Sequence, residues 1–351
     1  MPLLFHITCV ATALALCSSY VLVLYLLPRH IRSLPRNHDT HVRFWMGGCD
    51  HHTCACDTWL PTLSSPLLLP CPTRLHYFYL HIFLHLFLRT CAPPPSPIWP
   101  PLQIRYRLLA VTALALLAPL PVSALLALQR PQPALTTAQQ LGAAPSCYAA
   151  PLPALGPLLL TAVLFLGPLV ELALRVPAGL PPLQVVGLPA LQLLRALVAA
   201  PLLEEWVFRA CAAPLWRAAG AGHGLTLLAS CASFGVVHAH HYWELRRGGA
   251  EFALACRAVA VQVAYTALFA AIAAHSFQRS GSFLGTAAAH ALANAIGLPS
   301  LGWLSRGHPL HGARGAIAAG YALGIAAFAW LLGPGGSVLW AGAPCALFPT
   351  G

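Results

Sequence analysis

The sequence contains no lysine and has few charges of either sign. Only 8% of its 351 residues are charged, and only eight residues are acidic. Soluble domains usually carry about 25% charged residues, so a chain of this length could not cover its surface with polar groups. With 58% hydrophobic residues and a mean hydropathy of +0.71, the composition instead predicts an integral membrane protein.

The basic residues are not placed as in a nucleic-acid-binding protein. All 19 are arginines, and the formal net charge is +11, but nucleic-acid binding needs a clustered basic face on a soluble fold. Here the arginines lie mostly at the ends of apolar runs, which is typical of the cytoplasmic flanks of membrane helices. We therefore expect a lipid bilayer, and no nucleic acid, among the partners.

Long apolar runs predict an all-α fold. Short polar or proline-containing connections separate the runs, and none of the runs alternates like the strand of a barrel. We predict a polytopic membrane bundle of about 7–8 helices with a central polar cavity. The predicted helices cover about residues 7–27, 108–128, 155–174, 183–200, 224–241, 252–275, 282–297 and 313–332.

One segment does not fit this pattern. Residues 44–101 are rich in cysteine, histidine and proline, and their spacing matches no ordinary zinc site. We predict that this segment is a disordered insertion. The 12 cysteines of the chain are scattered, and no spacing among them implies a disulfide framework.

Two adjacent carboxylates are the first sign of a functional site. Glu204 and Glu205 directly follow an apolar helix, and an ionisable group at membrane depth costs several kcal/mol unless it is paired or hydrated. Glu205 and Arg209 are four residues apart, so they share a helix face and can form an ion pair. Glu204 points about 100° away from Glu205 and would stay available as a base. The alternative is a helix end whose charges only face water.

Two further polar pairs lie on other apolar helices. Phe234 and His238 are four residues apart, and so are His290 and Asn294. A single histidine in such a helix is more often a satisfied core residue. Three polar groups on three helices favour a shared site, because helix bundles build sites from inward polar side chains and buried polar groups need partners.

These residues form three ordered motifs. Glu204 to Arg209 matches EExxxR, Phe234 to His238 matches FxxxH, and His290 to Asn294 matches HxxxN. In this order and at these separations, the motifs resemble the CPBP family of intramembrane proteases. Within that family the chain is similar to the eukaryotic CAAX prenyl endopeptidases of the Ras-converting type. The resemblance covers about residues 5–43 and 104–332.

The resemblance suggests a division of the chain into five segments. They are 1–43, the first transmembrane helix and a basic loop; 44–101, the insertion; 104–180, transmembrane helices; 183–300, the catalytic core of the CPBP type; and 301–351, the last transmembrane helix and the tail.

The resemblance also implies a role for each motif residue. Glu204 would be the base that activates a water molecule, and His238 would help to position that water. His290 and Asn294 would face the developing oxyanion, where one hydrogen-bond donor contributes on the order of 3 kcal/mol. The residues expected to support the site are Glu205, Arg209 and Phe234.

The substrate and the location follow from the resemblance as well. The family removes the last three residues after a prenylated cysteine, which implies that the partners are farnesylated or geranylgeranylated C-termini of CaaX proteins. Because such tails are cytosolic, we expect a multi-pass protein of the endoplasmic reticulum membrane whose active site opens to the cytosol.

Two alternatives to this mechanism remain open. A zinc-dependent version of the protease could use Glu204, His238 and His290 as ligands. Asn294 beside His290 suits oxyanion stabilisation better, and the sequence has no HExxH pattern, so we expect no cofactor. A transporter or a scaffold could also place glutamate and histidine in a bundle, but the sequence shows no internal repeat.

Overall fold

The structure is a computed structural model that describes residues 3–25, 101–129, 134–181, 185 and 187–349. Every regular element in these ranges is helical, which confirms the predicted all-α fold. The predicted disordered insertion, residues 44–101, lies outside the described residues except for Pro101. The basic loop predicted at the end of segment 1–43 also lies outside them.

The described residues form 15 α-helices, some of them short and joined end to end. In chain order they are α1 (Leu3–Tyr25), α2 (Pro101–Leu117), α3 (Pro119–Ala127), α4 (Thr137–Gln140), α5 (Pro151–Leu164), α6 (Leu166–Arg175), α7 (Ala190–Leu194), α8 (Ala200–Glu205), α9 (Ala212–Ala218), α10 (His223–Val237), α11 (His241–Arg247), α12 (Phe252–Ser280), α13 (Phe283–Ile296), α14 (Arg314–Leu332) and α15 (Gly336–Trp340).

The chain is a multi-pass membrane protein. Among the described residues, four helical stretches are long and apolar enough to cross a bilayer. The bent pair of α5 and α6 adds a fifth if it counts as one span. The four stretches are Leu3–Val23, Ile104–Ala127, Phe252–Ser280 and His311–Leu332. The apolar helix α13 is shorter, and it packs between α5 and α8 inside the bundle.

The predicted helix 155–174 is in fact two helices that meet at an angle of 69°. In a continuous helix, Pro168 would lack the N–H that bonds to the carbonyl of Leu164, and its ring would clash with that carbonyl. The chain therefore bends at Phe165, and Pro168 lies in the first turn of α6, where the missing N–H is tolerated.

The predicted helix 183–200 begins later than expected. Gly187 has a φ of 96°, which a regular helix does not allow, and Pro189 is the N-cap of α7. Regular helix thus begins at Ala190. After α7 the chain widens into a π-helical turn at Arg195–Ala199 and then continues as α8.

A buried aromatic cluster joins α1 to the centre of the bundle. Phe208 is 1% exposed, and its ring meets those of Tyr20 and Phe234 edge to face, with centroids 5.5 Å and 5.0 Å away. Edge-to-face pairs add about 0.5–1.5 kcal/mol beyond their buried area. The cluster therefore fixes α1 and α10 against the turn that follows α8.

A disulfide links two distant parts of the chain, which the sequence analysis did not predict. Cys147 lies in a short 3₁₀ helix before α5, and Cys345 follows α15, 198 residues later. Since the separation is so long, no local cysteine spacing could have indicated the pair. Cys211, Cys231 and Cys256 are free thiols in helical segments, where cysteine packs as a small hydrophobic residue.

Helix α14 packs closely against the bent pair through two glycines four residues apart. A Cβ atom on Gly324 would lie 2.7 Å from the carbonyl oxygen of Val163, and one on Gly320 would lie 3.1 Å from the side chain of Val170. Small residues at this spacing let membrane helices approach each other closely. This packing holds α5 and α6 in their bent arrangement.

The close contact at Gly324 predicts that the same substitution has opposite effects on stability at two glycines of α14. Gly324→Ala should destabilise the protein by about 1–3 kcal/mol, because the added methyl group overpacks the contact with Val163. Gly315 lies on the same helix with open space around its Cβ position, so Gly315→Ala should stabilise slightly through helix propensity. Thermal unfolding in detergent micelles measures both. Equal effects of the two substitutions would contradict the close packing.

Candidate active site

The structure brings all four predicted catalytic residues to the wall of one cavity. Glu204 is in α8, His238 is in the turn after α10, and His290 and Asn294 are on α13. The cavity has a volume of about 390 Å³ and is lined by all four side chains. Residues that are up to 90 positions apart in the sequence therefore face a common space.

Two π-helical turns flank the carboxylates. The turn Arg195–Ala199 precedes α8, and the turn Trp206–Cys211 follows it. A π-helical turn contains one more residue than an α-helical turn, so it changes the direction of the side chains that follow, and such turns often occur at functional sites. Here the first turn sets the directions of Glu204 and Glu205 at the end of α8.

The carboxylate of Glu204 faces the cavity. The hydroxyl group of Tyr20, on α1, donates a hydrogen bond of 3.2 Å to its Oε1 atom. Its Oε2 atom lies 3.8 Å from Nε2 of His290. The Glu204 side chain is 17% exposed, whereas that of Glu205 is fully buried. Glu204 can therefore reach a water molecule in the cavity.

Glu205 forms the ion pair with Arg209 that their four-residue spacing predicted. Its Oε1 atom lies 3.1 Å from Nη1 of Arg209, and both side chains are fully buried. No N–H group of Arg209 is aligned for a hydrogen bond with a described residue, so this contact is an ion pair. The guanidinium also lies 4.3 Å from the centre of the Phe234 ring, a cation–π arrangement. Glu205, Arg209 and Phe234 thus form a packed support.

The structure adds a hydrogen bond between Glu205 and His290. Nδ1 of His290 donates to Oε1 of Glu205 at 2.8 Å. The carboxylate fixes the ring orientation, and Nε2 of His290 is directed towards Glu204. The two adjacent glutamates therefore contact opposite nitrogens of one imidazole.

The tautomer of His238 follows from its backbone contact. Its Nδ1 atom lies 2.6 Å from the carbonyl oxygen of Phe234. Since a carbonyl oxygen can only accept, Nδ1 carries the proton and Nε2 of the neutral ring has a lone pair. His238 can therefore accept a hydrogen bond from a water molecule in the cavity through Nε2.

Asn294 is 3% exposed, and its side-chain amide donates one hydrogen bond to the backbone. Its Nδ2 atom donates to the carbonyl oxygen of Ala196 at 2.9 Å. A primary amide has two N–H groups, so a second donor remains for a ligand. The bond to Ala196 holds the amide at the junction of α13 and the first π-helical turn.

The polar residues of the cavity that were not identified from the sequence include Tyr20, Arg107 and Arg195. Tyr20 contacts Glu204 across 184 residues, and Arg107 and Arg195 also line the cavity. None of them belongs to one of the three motifs, and no local spacing connects them to the site. Only the packing of α1 and α2 against α8 and the π-helical turn before it brings them there.

A network of charged groups lies beside the cavity. Nη2 of Arg107 is 3.2 Å from Oε1 of Glu244, and Nδ1 of His241 donates to Oε2 of Glu244 at 2.9 Å. Burial would raise the pKa of Glu244, but the hydrogen bond from His241 and the charge of Arg107 outweigh burial and hold this pKa well below its usual range. Glu244 is therefore an anion that ties α11 to α2.

Possible metal ligands do not group as the alternative interpretation requires. Among the described residues, the ligand atoms that lie within 4.8 Å of one another belong to His240, His241 and Glu244. The three residues of the predicted zinc alternative, Glu204, His238 and His290, do not form such a group in the described part. The cation Arg107 beside Glu244 also disfavours a metal cation there.

The rest of the cavity wall is apolar. It extends from the polar residues towards the bend between α5 and α6 and along the facing sides of α12 and α14. Apolar residues on this part of the wall are Leu164, Phe165, Leu268, Ile272 and Ile325. The cavity therefore combines a small polar end with a long hydrophobic surface.

Comparison with known proteins gives a consistent result. Residues 186–296 match the family model described as type II CAAX prenyl endopeptidase Rce1-like. CAAX prenyl protease 2 of Homo sapiens is 39% identical over 191 residues, 52% of this chain and 56% of the relative. CAAX prenyl protease 2 of Caenorhabditis elegans is 35% identical over 139 residues, 39% of this chain and 51% of the relative.

A more distant relative is CAAX prenyl protease 2 of Arabidopsis thaliana, which is 30% identical over 141 residues, 40% of this chain and 43% of the relative. The chain thus spans about half the length of the curated relatives it matches. No solved structure matches the chain. The matched relatives confirm the resemblance that the three motifs predicted.

Proposed function

We infer that this chain, whose residues 186–296 form a type II CAAX prenyl endopeptidase domain of the Rce1-like kind, removes the C-terminal tripeptide from prenylated CaaX proteins. One observation carries this proposal: a carboxylate, two imidazoles and an amide from three helical segments line the polar end of an otherwise apolar cavity. Peptide hydrolysis needs an activated water and a stabilised oxyanion, and these groups can supply both.

The water is activated by Glu204 and His238. The Glu204 carboxylate and Nε2 of His238 accept the two protons of one water molecule, which directs a lone pair of its oxygen at the substrate. The water oxygen attacks the carbonyl carbon of the prenylated cysteine, and Glu204 takes the proton. When the C–N bond breaks, Glu204 returns this proton to the amine of the leaving tripeptide.

The oxyanion is stabilised by His290 and Asn294. With a proton on both ring nitrogens, His290 donates to Glu205 through Nδ1 and to the oxyanion through Nε2. The charges of Glu204, Glu205, Arg209 and protonated His290 then sum to zero, so these four groups carry no net charge before the substrate binds. The second N–H group of Asn294 is the other donor.

The apolar part of the cavity suits a prenyl group. A farnesyl or geranylgeranyl chain can stay in contact with the apolar side chains of α5, α12 and α14 while the peptide reaches the polar end. Burying apolar surface contributes about 25 cal/mol per Å². For a prenyl chain that comes from the bilayer, the cavity wall replaces one set of apolar contacts by another, so the chain can be held there while the short peptide tail reaches the polar residues.

We propose that the reaction proceeds without a metal ion. Nδ1 of His290 is engaged by Glu205, and its Nε2 atom faces Glu204. A zinc ion bound by Glu204, His238 and His290 would need their ligand atoms to converge on one point, and in the described residues they do not lie close enough together. A zinc-dependent protease remains the alternative outcome of the experiment below.

The proposed orientation of the protein in the membrane rests on the two ends of α12. This helix has 29 residues and is about 43 Å long. Arg246 and Arg247, on α11, lie near the start of α12. The glycine that follows its end, Gly281, contacts Cys345 of the disulfide. Positive charge favours the cytoplasmic side, and disulfides persist in the lumen of the endoplasmic reticulum. We therefore propose that the active site opens to the cytosol from the endoplasmic reticulum membrane.

A single assay tests these proposals. A farnesylated CaaX peptide is added outside sealed microsomes that contain the chain, and the released tripeptide is measured by mass spectrometry. We expect release without detergent and an unchanged rate in the presence of EDTA or 1,10-phenanthroline. Release only after permeabilisation would contradict the orientation, loss of release with chelators would favour the zinc-dependent version, and no release under any condition would contradict the protease function.

A further inference from the structure

The polar end of the cavity contains more basic and imidazole side chains than carboxylates. In addition to the four residues of the proposed mechanism, its wall contains Arg107, Arg195, His240 and His241. Among the described residues that line the cavity, Glu204 is the one carboxylate. The proposed mechanism uses Glu204 but neither arginine. Arg107 pairs with Glu244, which leaves the role of Arg195 at the cavity wall to be assigned.

The two arginines have different surroundings. Arg107 forms an ion pair of 3.2 Å with Glu244, which ties α2 to α11. Arg195 is the first residue of the π-helical turn before α8, and the next residue, Ala196, accepts the hydrogen bond from Asn294. Arg195 is therefore attached directly to the part of the site that we assign to the oxyanion.

The substrate has a negative charge at a fixed distance from the bond that is cleaved. A CaaX protein ends three residues after the prenylated cysteine, and three extended residues span about 10 Å. The backbone of Ala196 is one hydrogen bond of 2.9 Å from the Asn294 amide, and consecutive Cα atoms are about 3.8 Å apart. Arg195 is the residue next to Ala196 and lines the same cavity, so its long side chain shares that space with a substrate tail of this length.

We propose that Arg195 binds the C-terminal carboxylate of the substrate. This inference rests on the proposed function. A guanidinium can hold a carboxylate with two parallel hydrogen bonds, and such a contact needs a chain end and not an internal peptide bond. The distance between Arg195 and the Glu204 site would then determine that the chain is cut three residues before its end.

The test compares two substrates that differ only at their C-terminus. One is a farnesylated CaaX peptide with a free carboxylate, and the other is the same peptide as a C-terminal carboxamide. Hydrogen bonds to charged groups contribute about 1.5–3 kcal/mol, which corresponds to a preference for the acid of roughly 10-fold to 100-fold in kcat/KM. Arg195→Gln should lower kcat/KM for the acid by this factor and leave kcat/KM for the amide nearly unchanged.

Two further variants complete the experiment. Arg257 is exposed on α12 outside the cavity lining, so Arg257→Gln should keep the full preference for the acid. Arg195→Lys keeps the charge but not the paired hydrogen bonds, and it should retain part of the preference even if Arg195→Gln is too unstable to purify.

Different results identify which proposal fails. If the unmodified protein cleaves the acid and the amide equally well, or if both rates fall together in Arg195→Gln, the carboxylate contact is wrong while the protease function stands. If the unmodified protein cleaves neither peptide, the proposed function itself is wrong.

Discussion

Replacing Glu204 by glutamine should reduce tripeptide release by a factor of roughly 10³ to 10⁴ and leave the fold intact. Removal of a general base costs on the order of 10²-fold to 10⁴-fold, and we expect the upper part of this range because the same group also returns the proton to the leaving amine. Glutamine is close in size to glutamate and can still accept the hydrogen bond from Tyr20. The loss should therefore be chemical and not structural.

The Glu204→Gln measurement needs a control for the loss of one negative charge. Glu251 is an exposed residue just before α12, so Glu251→Gln should retain full activity. Release of tripeptide from a farnesylated peptide and thermal unfolding in detergent micelles are measured for both variants. An active and folded Glu204→Gln variant would contradict the assignment of the base.

Replacing Arg209 by methionine should destabilise the protein by about 3–5 kcal/mol. Arg209 and Glu205 are both fully buried, and removal of one partner of a buried ion pair leaves an uncompensated charge in the core. Methionine fills much of the same space beside Phe234 but cannot balance the Glu205 carboxylate. This loss is a large part of the stability of a typical protein.

A double variant separates stability from activity at this pair. Glu205→Gln combined with Arg209→Met removes both charges, so most of the stability should return. Activity should stay low, because a neutral glutamine stabilises a protonated His290 less than a carboxylate does. The pair Glu171–Arg175 is the matched control, since it has the same spacing and a distance of 3.2 Å but a partly exposed arginine.

The Glu171–Arg175 pair shows how much stability is lost when the arginine of an ion pair is partly exposed. Arg175→Met should cost clearly less than Arg209→Met, because water screens a partly exposed charge. Denaturant unfolding in detergent micelles, followed by circular dichroism, gives the free energies. Similar losses for the two arginine variants, or full activity in the double variant, would contradict the role of the buried pair.

Local spacing predicted the parts of the site that depend on one helix. Glu205 and Arg209 are four residues apart and form an ion pair across one turn, even though that turn is π-helical. His290 and Asn294 have the same spacing and line the same cavity from α13. The apolar runs likewise predicted most of the helices, because the length and composition of such runs are local properties.

Contacts between distant segments could not be predicted from spacing. The hydrogen bond between Tyr20 and Glu204 joins residues 184 positions apart, and the one between His290 and Glu205 joins residues 85 positions apart. Both depend on how α1 and α13 pack against α8. The sequence shows that buried polar groups need partners, but it does not show which partners the packing supplies.

Helix ends and bends were predicted less well than helix positions. The apolar run 155–174 predicted one continuous helix across Phe165, although Pro168 removes the hydrogen bond that would continue it. The apolar run 183–200 likewise predicted a helix from residue 183, before the positive φ of Gly187. In both places the apolar run continues across a break in the backbone, and hydrophobicity alone does not reveal such a break.

The most direct test of the proposed mechanism is a single turnover in water labelled with ¹⁸O. Excess protein cleaves a farnesylated peptide, and mass spectrometry then examines the new carboxylate of the prenylcysteine product and the protein segment that contains Glu204. If Glu204 acts as a base on water, the product carboxylate gains one ¹⁸O atom and Glu204 gains none. Transfer of ¹⁸O to Glu204, with an unlabelled product, would show a covalent intermediate on this residue and contradict the mechanism.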